Sequence, residues 1–251
     1  MKMSKSHISL GGISALLLTL LIAPQSSTGR VFERWRTTGG IRERMAHTGA
    51  TELLSGNIAI NDGSGTVNVF GIEEPLAKAW RGIMQANGLT PSTPAGTMAF
   101  SRTVNNNMVV ALLGLQLPDR NRTLLFTLQQ SAHEAERSRN VPQTHRLNNL
   151  PVYHNSQPEF FASHDETRFK LEISRSTDAA EIIRLKMDAS LRGQGWLRIS
   201  PAHEHNLPSL LAYGRENESC WLFVAPTGTQ PASETAIAII HKRSAGRIPV
   251  F

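Results

Sequence analysis

A single cysteine, Cys220, stands in a chain of 251 residues, which excludes an internal disulfide and leaves the fold to be held by packing alone. That economy is common among exported bacterial proteins and unusual in small extracellular domains of higher organisms. No cysteine lies near the end of the N-terminal leader either, so lipid attachment at a processed N-terminal cysteine is excluded. Charge is also scarce: 18% of residues are charged and 40% are hydrophobic, enough for one large or two small domains with a true core. Recognised catalytic signatures are missing too. The sequence contains no H-E-x-x-H, no G-x-S-x-G elbow, no phosphate-cradling glycine loop and no dinucleotide fingerprint, so neither the corresponding chemistry nor any cofactor is indicated.

The leader is present and legible. Met1-Lys2-Met3-Ser4-Lys5 is basic, Ile8 to Ala23 is apolar, and a small polar tail follows, the order of a secretory signal. This stretch of 16 residues falls short of the roughly 20 that a spanning helix wants, which favours a cleaved signal over an anchor. The cleavage pattern is poor, with Ser27-Thr28-Gly29 before Arg30 the best site, so residues 1–29 are read as a signal peptide or N-terminal anchor. The protein is expected outside the cytoplasm, in the periplasm or beyond it.

The net charge of +6 falls to +4 once Lys2 and Lys5 leave with the leader. Of the remainder, +3 belongs to residues 30–47, where five arginines oppose Glu33 and Glu43. The body is then nearly neutral, and nucleic acid is not an expected partner. Residues 30–50 read as a basic flexible segment. Val31-Phe32-Glu33-Arg34-Trp35-Arg36 mixes aromatic and cationic side chains, so residues 30–47 also offer contact with an anionic membrane surface.

The body reads as the same plan twice, at 51–131 and 152–251, joined by a linker at 132–151. Val67 to Phe70 and Phe169 to Ile173 alternate as strands, and each leads into an amphipathic helix. Leu76, Trp80, Ile83 and Met84 share one face of the first helix; Ala180, Ile183, Met187 and Leu191 share one face of the second. Pro75 suits a first helical position, Asp178 with Glu181 has capping-box spacing, and Gly88 and Gly193 or Gly195 end the helices. Beyond them Met98 to Arg102 resembles Leu211 to Arg215, with polar turns at Asn105-Asn106-Asn107 and Glu216-Asn217-Glu218. Apolar runs Met108 to Leu117 and Cys220 to Ala225, then Thr123 to Leu128 and Thr235 to Ile240, need cover on both faces. The fold class expected is α+β: two tandem β-α-β-β-β repeats related by a pseudo-two-fold, with mainly antiparallel four-stranded sheets. Each carries one helix on a face and uses its sister as the other cover. Trp80, Trp196 and Trp221 are expected in the core, and Cys220 as a small buried hydrophobe rather than a nucleophile. A short helix is read near Ala132 to Arg137.

Few candidate functional residues emerge. His203 and His205 flank Glu204 between Pro201 and Pro208, and two histidines so spaced can face one metal, with His164 or Asp165 completing the set. His133-Glu134 is a further dense polar pair. Asn61 to Gly65 lacks the acidic ligands of a calcium loop and reads as a hairpin turn. Arg102 and Arg215 match in the two repeats and are expected to flank a shared groove able to grip an anionic group. Asn121-Arg122-Thr123 and Asn217-Glu218-Ser219 match glycosylation acceptors.

These features favour an exported, non-enzymatic envelope protein that binds a protein partner or a second copy of itself, by strand addition at a sheet edge. The alternatives are a metal-dependent hydrolase using His203 and His205, and a small-ligand carrier with its pocket between the repeats.

Overall fold

The computed structural model describes residues 45, 48–86, 94, 96–105, 107–117, 121–139, 145–165, 167–199, 209–226 and 234–243. Among the described residues it is an α+β protein built on one mainly antiparallel sheet of eleven strands with three helices. In chain order these are β1 (Thr51–Ile60), β2 (Gly63–Ile72), α1 (Leu76–Ala86), β3 (Met98–Asn105), β4 (Met108–Gln116), β5 (Thr123–Ser131), α2 (Ala132–Arg139), β6 (Ser156–His164), β7 (Phe169–Ser176), α3 (Ala180–Gly193), β8 (Leu197–Arg198), β9 (Leu210–Arg215), β10 (Glu218–Pro226) and β11 (Thr235–Arg243). The strands lie side by side as β3-β4-β5-β2-β1-β6-β7-β11-β10-β9-β8.

The turns follow from their residues. Asn61 and Asp62 both take positive φ, 45° and 70°, the pair of values that a two-residue hairpin demands and that Asn and Asp tolerate. Asn107 and Glu216 likewise adopt φ of 63° and 51° in the β3–β4 and β9–β10 turns. At the far end of α3, Gly195 takes φ of 83°. Its N–H bonds the Arg192 carbonyl while the Trp196 N–H bonds that of Leu191 at 3.1 Å, so the glycine closes the helix and sets down Trp196.

Two separate four-stranded sheets do not form. An additional strand precedes each expected set, and β1 and β6 join the halves through the pairs Ala59↔Ser163 and Ile60↔Ala162. The Asn61 N–H to Phe161 C=O bond and the return bond from the Phe161 N–H to the Asn61 side chain extend this seam.

The joined sheet is rolled upon itself. Phe126 on β5 and Phe169 on β7 stand four strands apart, about 19 Å in a flat sheet, yet their ring centres are 6.2 Å apart. Phe100 and Phe160 meet at 6.3 Å across five strand spacings. One continuous core therefore fills the inside of the roll with residues from both halves, among them Val69, Leu113, Leu171, Phe223 and Ile240. The outer faces have their own covers. Leu76, Trp80 and Ile83 of α1 pack on Phe70, Leu112 and Leu125; Ile183, Met187 and Leu191 of α3 pack on Leu211, Leu222 and Ile239.

Met45 has no exposed surface and joins the α1 cluster with Ala50 beside it; the arginines of 30–44 lie outside the described residues. The short helix read near Ala132 to Arg137 is α2, and beyond it Leu147 and Leu150, with Tyr153, are buried against α3 and its strands. One local expectation needs correcting. The capping box of α3 is not made, since Ala179 precedes the helix without a side-chain cap. Asp178 instead accepts from the Tyr153 hydroxyl at 2.6 Å and from Asn155 at 3.1 Å. Those bonds, Tyr153 first, hold its carboxyl below the ordinary range.

Candidate functional site

The ends of the sheet differ. At one end β8 pairs with β9 through Leu197↔Gly214 and Arg198↔Tyr213, and the Ile199 N–H continues the cover to the Ala212 carbonyl at 2.7 Å. At the other end β3 is terminal, and among the described residues no strand pairs with its outward side. The two-residue turn closes on the pair Asn105↔Met108. Alternation along an antiparallel ladder then turns the backbone N–H and C=O of Val104, Arg102 and Phe100 away from β4. Val104 is 66% exposed and Arg102 is exposed beside it. β10 comes close to β3 in the roll, but at Arg102 and Val104 the outward donors and acceptors, beside an exposed valine and a cation, make an edge able to receive another strand.

A second polar constellation links the crossover to the sheet. His145 sets Nδ1 2.6 Å from Glu172 Oε1 and Nε2 3.3 Å from Ser156 Oγ. The Arg146 N–H bonds the other Glu172 oxygen at 2.8 Å. The order serine, histidine, carboxylate invites a nucleophilic reading. The rest of the geometry opposes it: Ser156 Oγ donates to the Tyr153 carbonyl at 2.6 Å, and the Ser156 N–H goes to the same oxygen at 3.0 Å. A nucleophile's proton belongs on its base and its neighbouring N–H groups on an oxyanion; here both are spent on a turn. The group is better understood as a clasp, because the Arg146 guanidinium also pairs with Asp62 in the β1–β2 turn and lies 5.5 Å over the Phe161 ring. It ties the crossover to both halves of the sheet.

A third cluster lies beneath the end of α3. Glu218 bonds Arg215 at 2.8 Å, Arg215 covers the Trp196 ring at 4.5 Å, and Trp196 meets His241 edge-on at 6.1 Å. Cys220 is buried on the same face; burial pushes its thiol up, beyond reach as a thiolate at neutral pH.

The residues singled out by sequence fare unevenly. Arg102 and Arg215 do not flank a common groove. Hairpin register sets Arg215, paired with Glu218, against Asn105, paired with Met108, so the apparent match is displaced by three residues. An odd displacement in a strand reverses the face: Arg102 shares the side of Met98 and Phe100, which belong to the inner core, and Arg215 the side of Tyr213 under α3. His164 uses Nδ1 to accept from the Thr167 N–H at 3.1 Å, a local turn, with Asp165 exposed beside it. His203 and His205 lie outside the described residues, and among the described residues no group of three metal-type ligands gathers. His133 is an exposed neighbour of Glu134, which itself bonds the Ser64 N–H. The faces between which a carrier would hold its ligand are packed on each other through Phe126 and Phe169. The His145–Glu172 clasp escaped sequence reading, since its members lie 27 residues apart and no spacing announces them. Against known protein families, curated proteins and solved structures, the chain finds no match.

Proposed function

We propose that this chain is an exported, non-enzymatic binding or scaffold module of the cell envelope, which takes up a protein partner or a second copy of itself by strand addition along β3. The observation that carries the reading is the outward edge of β3, with Val104 exposed and Arg102 beside it. Main-chain bonds to an added strand supply affinity without a deep pocket. Arg102 restricts the choice, because a lone cation on an edge repels basic strands and rewards an acidic residue opposite it.

The same reading takes the body as a tandem duplication. It is supported by the parallel order of β1-β2-α1-β3-β4-β5 and β6-β7-α3-β9-β10-β11, whose strands lie as β1-β2-β5-β4-β3 and β6-β7-β11-β10-β9. The repeat unit is then one strand longer than β-α-β-β-β, and a pseudo-two-fold passes near the Ala59 to Ser163 seam. The leader at 1–29 serves export, and residues 30–47 supply a basic tether that contacts anionic membrane surface.

A photo-crosslinking residue placed at 104 in the full exported chain tests the edge. Discrete adducts that disappear on Arg102→Pro or Arg102→Glu are the expected result, since proline removes an outward N–H at a position an edge strand tolerates. Adducts that persist in both variants, or that form equally from position 81 on α1, contradict it.

A further inference from the structure

His241 lies on β11, on the side of the sheet that faces α3, and is nine-tenths buried. Among the described residues its Nε2 has no hydrogen-bond partner; a carboxylate oxygen of Glu218 lies 3.9 Å away. The group it meets is Trp196, edge-on at 6.1 Å. Trp196 is fully buried too, and its Nε1–H likewise lacks an acceptor. Two polar atoms left without hydrogen bonds thus sit on touching rings, where each adds a desolvation cost to the closed packing.

The charges around the ring are unequal. Lys170 stands opposite on β7 in register with His241, Arg243 follows on β11, and Arg215 reaches across from β9; among the described residues Glu218 on β10 is the carboxylate that faces it. Cys220 and Tyr213 share the face, and burial keeps both neutral. Asp188 of α3 is already engaged by the Tyr213 hydroxyl at 2.9 Å, by Arg198 at 3.3 Å and by Arg192 at 3.6 Å. Burial first, opposed by Glu218 and reinforced by Lys170, Arg215 and Arg243, holds the imidazole below the ordinary histidine range.

Position gives this strain a consequence. Trp196 immediately precedes β8, the short strand that covers β9, and no helix turn or hairpin separates them. A cationic ring at 241 needs water, and water reaches Nε2 when the indole against it moves. We propose that His241 is the trigger of an acid-opened cap: its protonation unseats Trp196, which carries β8 off β9 and bares the second edge of the sheet. The inference goes beyond the strand-addition reading at β3 and does not depend on it, since opening occurs in the isolated chain.

Sign and size follow from linkage. The closed state binds the proton weakly and the open state with ordinary affinity, so acid favours opening, and the opening constant rises by up to about tenfold between pH 7.5 and 5.5. Amide hydrogen exchange of the full chain, expressed as protection factors that remove the intrinsic pH dependence, reads it directly. The Ile199 N–H, bonded to Ala212, is expected to lose protection by that factor while Leu125 in the first half keeps its own. His241→Gln is expected to flatten the response. Lys170→Gln, at an exposed position, is expected to weaken it by removing one repelling cation. Constant protection at Ile199, a fall in step with Leu125, or an undiminished fall in His241→Gln overturns the proposal. Should that variant fail to fold, a response in Lys170→Gln as large as that of the unaltered chain overturns it.

Discussion

The ring of Phe126, from the first half of the chain, stacks on the ring of Phe169, from the second, with centroids 6.2 Å apart and planes 15° from parallel. Both are buried, and they stand four strands apart along the sheet. The contact exists because the eleven strands roll until the halves cover each other. Phe126→Ala is expected to destabilise the whole protein by about 3 to 5 kcal/mol, as is Phe169→Ala. A double-mutant cycle in chemical unfolding is expected to return a coupling of about 0.5 to 1.5 kcal/mol. Strict additivity would mean that the rings do not act on one another.

Gly114 on β4 faces α1 so closely that a methyl group there would lie 2.7 Å from Leu76 Cδ1 and 3.1 Å from Trp80 Cε3. Both neighbours are fully buried and cannot swing aside. Gly114→Ala is expected to lower stability by about 1 to 3 kcal/mol through overpacking. Gly82→Ala, on the open side of α1 where a methyl group meets nothing, is expected to stabilise by up to about 1 kcal/mol. The opposite ranking in thermal unfolding would misplace the helix.

The clasp separates a structural role from a catalytic one. Glu172 is buried, and His145→Ala removes the bond at its Oε1, so a loss of about 2 to 3 kcal/mol is expected. Ser156→Ala is expected to cost under about 1.5 kcal/mol. Urea unfolding of the two variants checks the ranking. Covalent capture of Ser156 by an organophosphate, abolished in His145→Ala, would restore the nucleophilic reading.

Cys220, with its thiol buried and pushed up, is expected to resist a water-soluble thiol reagent in the folded protein and to react only upon unfolding. Reaction at the rate of a free thiol at neutral pH, followed by mass, would show that the face beneath α3 is open.

Elements with strong local instructions were legible in the sequence. Asn61 and Asp62 announced their hairpin, the spacing of Leu76, Trp80 and Ile83 announced α1, and the apolar runs announced β4, β5, β10 and β11 as doubly covered strands. What escaped was set by distance along the chain. β6 carries Pro158 and an irregularity in pairing before Phe160, so it lacks the alternation of a strand; its place comes from β7. Leu147 and Leu150 have no period of their own and are recruited by α3. Asp178 had a cap's spacing, but Tyr153, 25 residues away, claimed its carboxylate. Arg102 and Arg215 matched by their neighbours' identities, whereas register counts from the turn, and three residues changed the face. The edge of β3 was foreseen in kind only, for which strands end a sheet is decided by the joining of β1 to β6.

Equilibrium unfolding of the full chain, followed at once by exchange reporters in both halves such as Leu125 and Ile239, tests most directly that the halves share one core. One coincident transition is predicted, with Phe126→Ala and Phe169→Ala each shifting both reporters together. If β3, β4 and β5 unfold while β9, β10 and β11 keep their protection, or if either substitution moves only its own half, the shared core is refuted.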